Sequence, residues 1–177
     1  MEPTYREEAG RWHPAPAAAG PFGGLHGGGV SGVLIAGLER KAQQEGFGVP
    51  LTAAVLFLRP APMAPLETRI EVIRAGGRVA VLENTLYAAD RLIARATASF
   101  VVPSAPVTVE HMPRLAPEPR DPESLAKLEL APAGLAGTTF FDTLDLRDDG
   151  AGTKWGRLAR PIVDFPGAAR DRLRYCR

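Results

Sequence analysis

The stretch that decides the fold runs from residue 20 to residue 46 and reads GPFGGLHGGGVSGVLIAGLERKAQQEG. A glycine-rich loop opens this stretch, and its glycines allow the backbone to approach another group closely. From Val30 the apolar positions nearly encircle the chain, whereas a polar half begins at Glu39. This pattern predicts a helix over 30–44 whose first half is buried, with Gly46 as its C-terminal cap.

Two glycines lie inside the predicted helix, at positions 32 and 37. Each costs about 1 kcal/mol of helix propensity relative to alanine. We therefore expect Gly32 and Gly37 to allow close contact between the helix backbone and a sheet.

The residues after the helix are typical of antiparallel strands. Residues 66–74 alternate between two faces, and Gly76-Gly77 is a hairpin signal. The predicted strands are 51–58, 66–74, 78–89 and 92–102. One helix followed by several long antiparallel strands predicts an α+β domain over residues 20–103, with the helix packed against the sheet.

The segments outside this domain have different compositions. Residues up to 21 are rich in proline, alanine and glycine, and Trp12 anchors this arm. Six prolines between 103 and 122 predict a linker or an extended covering segment. Residues 140–146 alternate, a turn follows at 148–152, and 155–158 resembles a further strand, so another sheet is expected to open there.

Composition excludes several classes of function. The chain has 177 residues, of which 45% are hydrophobic and 23% charged, as in an ordinary globular protein. No apolar run approaches the roughly 20 residues that a membrane helix needs, and residues 1–9 lack the layout of a secretory signal. The expected location is the cytoplasm, without membrane association.

Metal and nucleic-acid binding are not expected either. Cys176 is the only cysteine, which excludes an internal disulfide and a thiolate metal cluster. His13 and His111 show no metal-ligand pattern, and no cofactor is predicted. The tail, 154–177, holds seven Lys or Arg against two aspartates. Tyr175 is the only aromatic among the arginines from residue 170 onward, so nucleic-acid binding is not predicted.

Four features in this order together resemble the amino-terminal hotdog domain of TesB-like acyl-CoA thioesterases over about 20–102. They are the loop 20–28, the helix after it, Phe57-Leu-Arg59-Pro60 leading to Pro65-Leu66, and Ala94-Arg95-Ala96-Thr97-Ala98. Trp155-Gly-Arg157 with Pro161 is similar to the beginning of that family's second hotdog. The resemblance implies an antiparallel sheet wrapped around one long central helix. It divides the chain into a hotdog domain with an N-terminal arm (1–103), a proline-rich linker (104–139), and an incomplete start of a second hotdog with a basic tail (140–177).

The resemblance also implies hydrolysis of acyl-CoA to a free acid and CoA, and pairing of two hotdogs. In this family the water-activating set, an Asp with Thr and Gln partners, lies mainly in the second hotdog, so no catalytic aspartate is assigned to this chain. A lone hotdog sheet would expose an edge strand and one face. We therefore predict a homodimer in which a second copy replaces the missing hotdog.

The candidate catalytic residues are His26, Gly27 and Gly28, with Gly29 beside them as a substrate contact. Unpaired N–H groups and the positive dipole end at a helix start favour a developing oxyanion. His26 would orient the loop or meet the thioester. In the alternative, purely structural interpretation, the glycines only let the loop turn tightly and His26 satisfies a backbone carbonyl.

The residue that activates water is not identified by the sequence. No acid occurs in residues 33–38 of the helix, and Glu39, the first carboxylate, begins its solvated half. Asn84, which with Glu83 interrupts an apolar strand, would face a ligand cleft or be an ordinary half-exposed strand residue. Arg59 would bind a CoA phosphate by a bidentate contact or end its strand in solvent.

Two functions from different classes follow. The first is an acyl-CoA thioesterase, and the second is a non-catalytic acyl-CoA-binding hotdog subunit. They differ in whether an acid or polar partner lies near His26 when two chains meet. A hotdog dehydratase would need an Asp and His set, and the sequence contains no such motif.

Overall fold

The computed structural model describes residues 2–104, 121–128 and 137–164. His111, Cys176, most of the predicted linker and the basic tail beyond Asp164 lie outside these ranges. Within the described ranges, no helix combines the length and the apolar character needed to cross a membrane.

Four antiparallel strands form the main sheet, in the order β3-β6-β5-β4. Their bounds are β3 Val49–Phe57, β4 Glu67–Ala75, β5 Val79–Ala88 and β6 Arg91–Val101. A hairpin of β1 (Tyr5–Glu8) and β2 (Arg11–Pro14) precedes them, and Trp12 exchanges two backbone hydrogen bonds with Leu66 at 2.8 and 2.9 Å. The hairpin is thus joined to the main sheet by a single bridge beside the start of β4, whereas no described strand pairs with the outer edge of β3.

A single helix, α1 (Gly27–Glu45), packs against this sheet. Leu34 and Leu38 on the helix and Leu82, Leu86 and Phe100 on the sheet are fully or almost fully buried. Gly46 ends the helix in a left-handed conformation (φ 71°), and its N–H bonds to the carbonyls of residues 42 and 43. The α+β prediction and the Gly46 cap are confirmed.

The two helix glycines have different neighbours. A Cβ on Gly37 would lie 2.8 Å from Asn84 Nδ2 on β5 and 3.3 Å from Ile70 Cδ1 on β4. The expected sheet contact is therefore confirmed at this position. It is wrong at Gly32, where a Cβ would lie 2.8 Å from Ile162, because that face of the helix is covered by residues 161–164.

A second, three-stranded antiparallel sheet follows in the order β7-β8-β9. Its strands are β7 Ala126–Lys127, β8 Leu144–Asp148 and β9 Lys154–Leu158. The predicted strand at 140–146 is wrong in its first half, because Phe140–Thr143 forms a 3₁₀ turn. The Asp142 carboxylate accepts the Thr139 backbone N–H at 2.7 Å and stabilises this turn. That this sheet begins a second hotdog stays a prediction.

Candidate active site

Backbone hydrogen bonds to two different segments fix the end of the glycine-rich loop, just before the helix starts. The Leu25 N–H donates to the Ala61 carbonyl at 2.8 Å, and the His26 N–H donates to the Ala18 carbonyl at 2.9 Å. A Cβ on Gly24 would lie 2.5 Å from the Ala61 oxygen, so only glycine fits there. These bonds set the position of His26 immediately before α1.

His26 is the N-terminal cap of α1. Its Nδ1 accepts the Gly28 backbone N–H at 3.0 Å, one of the N–H groups that a helix start leaves without an intrahelical acceptor. Because Nδ1 acts as an acceptor, the neutral ring carries its proton on Nε2. Burial lowers the pKa of His26 below its usual value, which favours this neutral form. The imidazole therefore has one hydrogen-bond donor, Nε2–H, left for another group.

Two aromatic side chains hold the imidazole ring in place. Phe140 stacks on it with ring centroids 4.4 Å apart and planes 10° apart. Phe141 contacts it edge-on, with centroids 5.3 Å apart. The segment carrying both phenylalanines is anchored to the loop, because the Phe140 N–H donates to the Ala19 carbonyl at 2.9 Å. Sequence reasoning missed these residues, since only folding brings positions so far apart together.

The three glycines at the helix start differ in accessibility. The Gly28 N–H already bonds to His26. Gly29 is buried, and a Cβ there would lie 2.8 Å from the Tyr5 hydroxyl and 3.3 Å from Phe140. Gly27 borders the adjacent cavity, and its N–H has no acceptor among the described residues. The structure therefore brings Gly27 and His26 together at the cavity, without the amides of the other two glycines.

A cavity of about 700 Å³ opens beside Gly27. It is open to solvent on one side and is lined by the loop from residue 20 to residue 27, by Val30 of the helix, and by residues 57–62. The Phe57 ring lies against Gly27, 3.4 Å from where a Cβ would be. Among the described residues that line the cavity, only His26 and Arg59 are ionisable. The described lining thus supplies hydrogen-bond donors and apolar surface but no carboxylate.

Arg59 lies at the rim of this cavity, directly after β3. One guanidinium N–H donates to the Leu92 carbonyl at 2.8 Å, which holds the side chain against the start of β6. No carboxylate of the described residues pairs with it. Its remaining N–H groups are therefore available to an anion.

Asn84 does not line the cavity at His26. Its side chain is fully buried beneath the helix, where Nδ2 donates to the Leu34 carbonyl at 2.9 Å. Oδ1 has no hydrogen-bond partner in the described part of the chain. Strand alternation turns Glu83 to the opposite face, 3.5 Å from Arg95. The structure does not bring Asn84 to His26, and its contacts support a structural role beneath α1.

Comparison with known proteins finds one matching family model. Residues 15–101 match the model of the acyl-CoA thioesterase N-terminal domain. No curated protein matches the chain. The matched range covers the loop, α1 and the whole main sheet.

Three solved structures share the fold. A candidate thioesterase from Novosphingobium aromaticivorans is 19% identical, with a TM-score of 0.66 over 89% of this chain and 66% of that one. A conserved hot dog protein of unknown function from Alicyclobacillus acidocaldarius is 19% identical, with a TM-score of 0.61 over 87% and 60%. A candidate thioesterase II from Thermobifida fusca is 20% identical, with a TM-score of 0.55 over 80% and 50%.

These likenesses confirm the predicted hotdog fold. The chain spans only between half and about two thirds of the length of these three proteins. At this level of identity the likeness concerns the fold, and the chemistry rests on the residues of this chain.

Proposed function

Because residues 15–101 match the acyl-CoA thioesterase N-terminal domain, we propose that this protein hydrolyses an acyl-CoA thioester, with the reacting carbonyl in the cavity beside His26. Water would add to the carbonyl carbon, and the carbon–sulfur bond would break. The products are a free acid and CoA, whose thiolate leaves and takes up a proton.

The observation that carries this proposal is the pair of free donors at the start of α1. The Gly27 N–H and the His26 Nε2–H both belong to residues that line the cavity, and the helix dipole favours negative charge at this end. Donors fixed before the reaction stabilise the oxyanion that develops when water adds. Gly28 acts indirectly, because its N–H fixes His26 in the tautomer that can donate. Gly29 lets Tyr5 and Phe140 pack over the helix start.

The water-activating group is proposed to come from outside the described lining, since that lining holds no carboxylate. A second copy of the chain is one source. β3 contains no charged residue, and its side chains Leu51, Leu56 and Phe57 are 64%, 58% and 50% exposed. The unpaired backbone groups of an uncharged, apolar edge strand can pair with a strand of another chain. Because Phe57 also lines the cavity, a copy paired along β3 would lie beside the site.

The test is release of CoA from short, medium and long acyl-CoA substrates by the purified protein. His26→Ala removes the cap and the Nε2–H donor together, and should lower turnover sharply. His13→Ala is the matched control, because His13 lies on β2 and does not line the cavity. Turnover that is equal in the two variants would refute a role for His26. Acyl-CoA binding without any CoA release by the wild type would instead identify a binding subunit.

A further inference from the structure

A second groove lies at the same end of the sheet. It has a volume of about 630 Å³ and runs between residues 59–65 and the β5–β6 turn at 88–91. Arg59, Pro60 and Pro62 line both this groove and the cavity at His26. The two cavities are therefore neighbours on either side of a common wall, which a ligand that occupies both would have to cross.

The groove carries cations that the fold does not neutralise. Arg11 lies 2.7 Å from Glu67, so that pair is internally compensated. Within the described ranges, Arg59 bonds only to the Leu92 carbonyl, and Arg91 makes no hydrogen bond or ion pair. Asp90 is the other acid in the lining. Arg59 and Arg91 against Asp90 thus give the described lining a net positive charge.

The position of Arg91 is set by a tight turn. Ala89 and Asp90 both have left-handed backbone conformations, with φ of 45° and 63°. Two such residues make the two-residue hairpin turn whose twist matches the flanking strands. Arg91, the first residue of β6, therefore projects from a fixed backbone. The remaining walls are apolar and include Pro60, Pro62, Pro65 and Ile93.

We propose that this groove binds the phosphate-bearing nucleotide end of the acyl-CoA, with Arg91 and Arg59 contacting the phosphates. The inference rests on the proposed function, because it places the reacting thioester at His26 and the nucleotide beyond the common wall. Guanidinium groups bind phosphate oxygens through paired N–H donors. The prolines and Ile93 offer apolar surface to the base. Neither cavity alone has both the oxyanion donors and this arginine pair.

Binding is measured first, by calorimetry with CoA and with pantetheine, which lacks the nucleotide and its phosphates. Arg91→Ala should weaken CoA binding about tenfold and leave pantetheine binding unchanged. Arg78→Ala is the matched control, since Arg78 is an exposed arginine at the β4–β5 turn, at the opposite end of the sheet. The proposal is overturned if Arg91→Ala and Arg78→Ala have the same affinity for CoA. It is also overturned if the wild type binds CoA no more tightly than pantetheine.

Kinetics separates this proposal from the proposed function. Arg91→Ala should raise KM for an acyl-CoA about tenfold without changing KM for the matching acyl-N-acetylcysteamine thioester, which has no phosphate. If the wild type and Arg91→Ala hydrolyse both thioesters with the same KM, the groove does not bind the nucleotide, although the proposed hydrolase activity stands. If the wild type hydrolyses neither thioester but loses CoA affinity on Arg91→Ala, the proposed hydrolase activity is refuted. Nucleotide binding in the groove is then supported.

Discussion

Two replacements of His26 should lower the free energy of unfolding by different amounts, because one removes both the cap and the ring stacking and the other removes only the stacking. The hydrogen bond between Nδ1 and the Gly28 N–H is worth about 1 kcal/mol, as for other helix caps. Stacking of the ring on Phe140 at 4.4 Å contributes about 1 kcal/mol more. His26→Ala loses both, so its free energy of unfolding should fall by about 2 kcal/mol. His26→Asn keeps a capping oxygen and should fall by only about 1 kcal/mol.

The assay is urea unfolding of the wild type and both variants at pH 8, supported by thermal melts. For a chain of this size, a loss of 2 kcal/mol corresponds to about 4 to 8 °C in Tm. Equal losses in the two variants would refute the cap, because asparagine restores the acceptor and alanine does not. No loss in either would refute both contacts.

The same bond predicts how stability depends on pH. Because burial lowers the pKa of His26 in the folded state, the unfolded chain takes up the proton more readily. The stabilisation is complete above the unfolded pKa of about 6.5 and is lost as pH falls from there through the folded pKa. The wild type should therefore lose stability between pH 8 and pH 5 relative to His26→Asn. Parallel profiles would contradict the burial of a neutral imidazole.

Three further substitutions test the packing and the edge strand. Gly37→Ala should lower the free energy of unfolding by about 1 to 3 kcal/mol, since its Cβ would lie 2.8 Å from Asn84; urea unfolding checks this, and stabilisation would contradict it. Asn84→Asp should cost more than about 3 kcal/mol because it buries an unpaired charge, whereas the neutral Asn84→Leu should cost clearly less in the same assay. Leu51→Lys on β3 should shift a dimer toward monomer in sedimentation, while Ile73→Lys on β4, at a side chain 54% exposed, should not; equal behaviour would argue against pairing along β3.

Much of the fold follows from local patterns. Alternation in residues 66–74 predicts β4, and the polar second half of the helix with Gly46 predicts where α1 ends. The capping role of His26 can also be predicted from sequence, because a residue just before a helix faces N–H groups that lack acceptors. In the purely structural interpretation, His26 is expected to bond to a backbone carbonyl. This partner is wrong, because Nδ1 accepts the Gly28 N–H instead.

Other features depend on contacts between distant residues. The glycines at the helix start predict that something approaches closely, but not that Phe140 and Tyr5 do so. Asn84 interrupts an apolar strand whether it faces a ligand or the helix, and only the three-dimensional packing decides. The apolar run that becomes β3 gives no sign that it lies at an edge of the sheet, since strand order is not a local property.

The central claim is that His26 donates a hydrogen bond to the reacting carbonyl, and kcat for acyl-CoA hydrolysis by His26→Asn tests it most directly. The asparagine oxygen keeps the cap, but the amide is shorter than the imidazole and places no N–H at the position of Nε2. With the variant folded and CoA binding unchanged, kcat should fall about 100-fold, as when one oxyanion donor is removed. A kcat equal to that of the wild type would contradict the account.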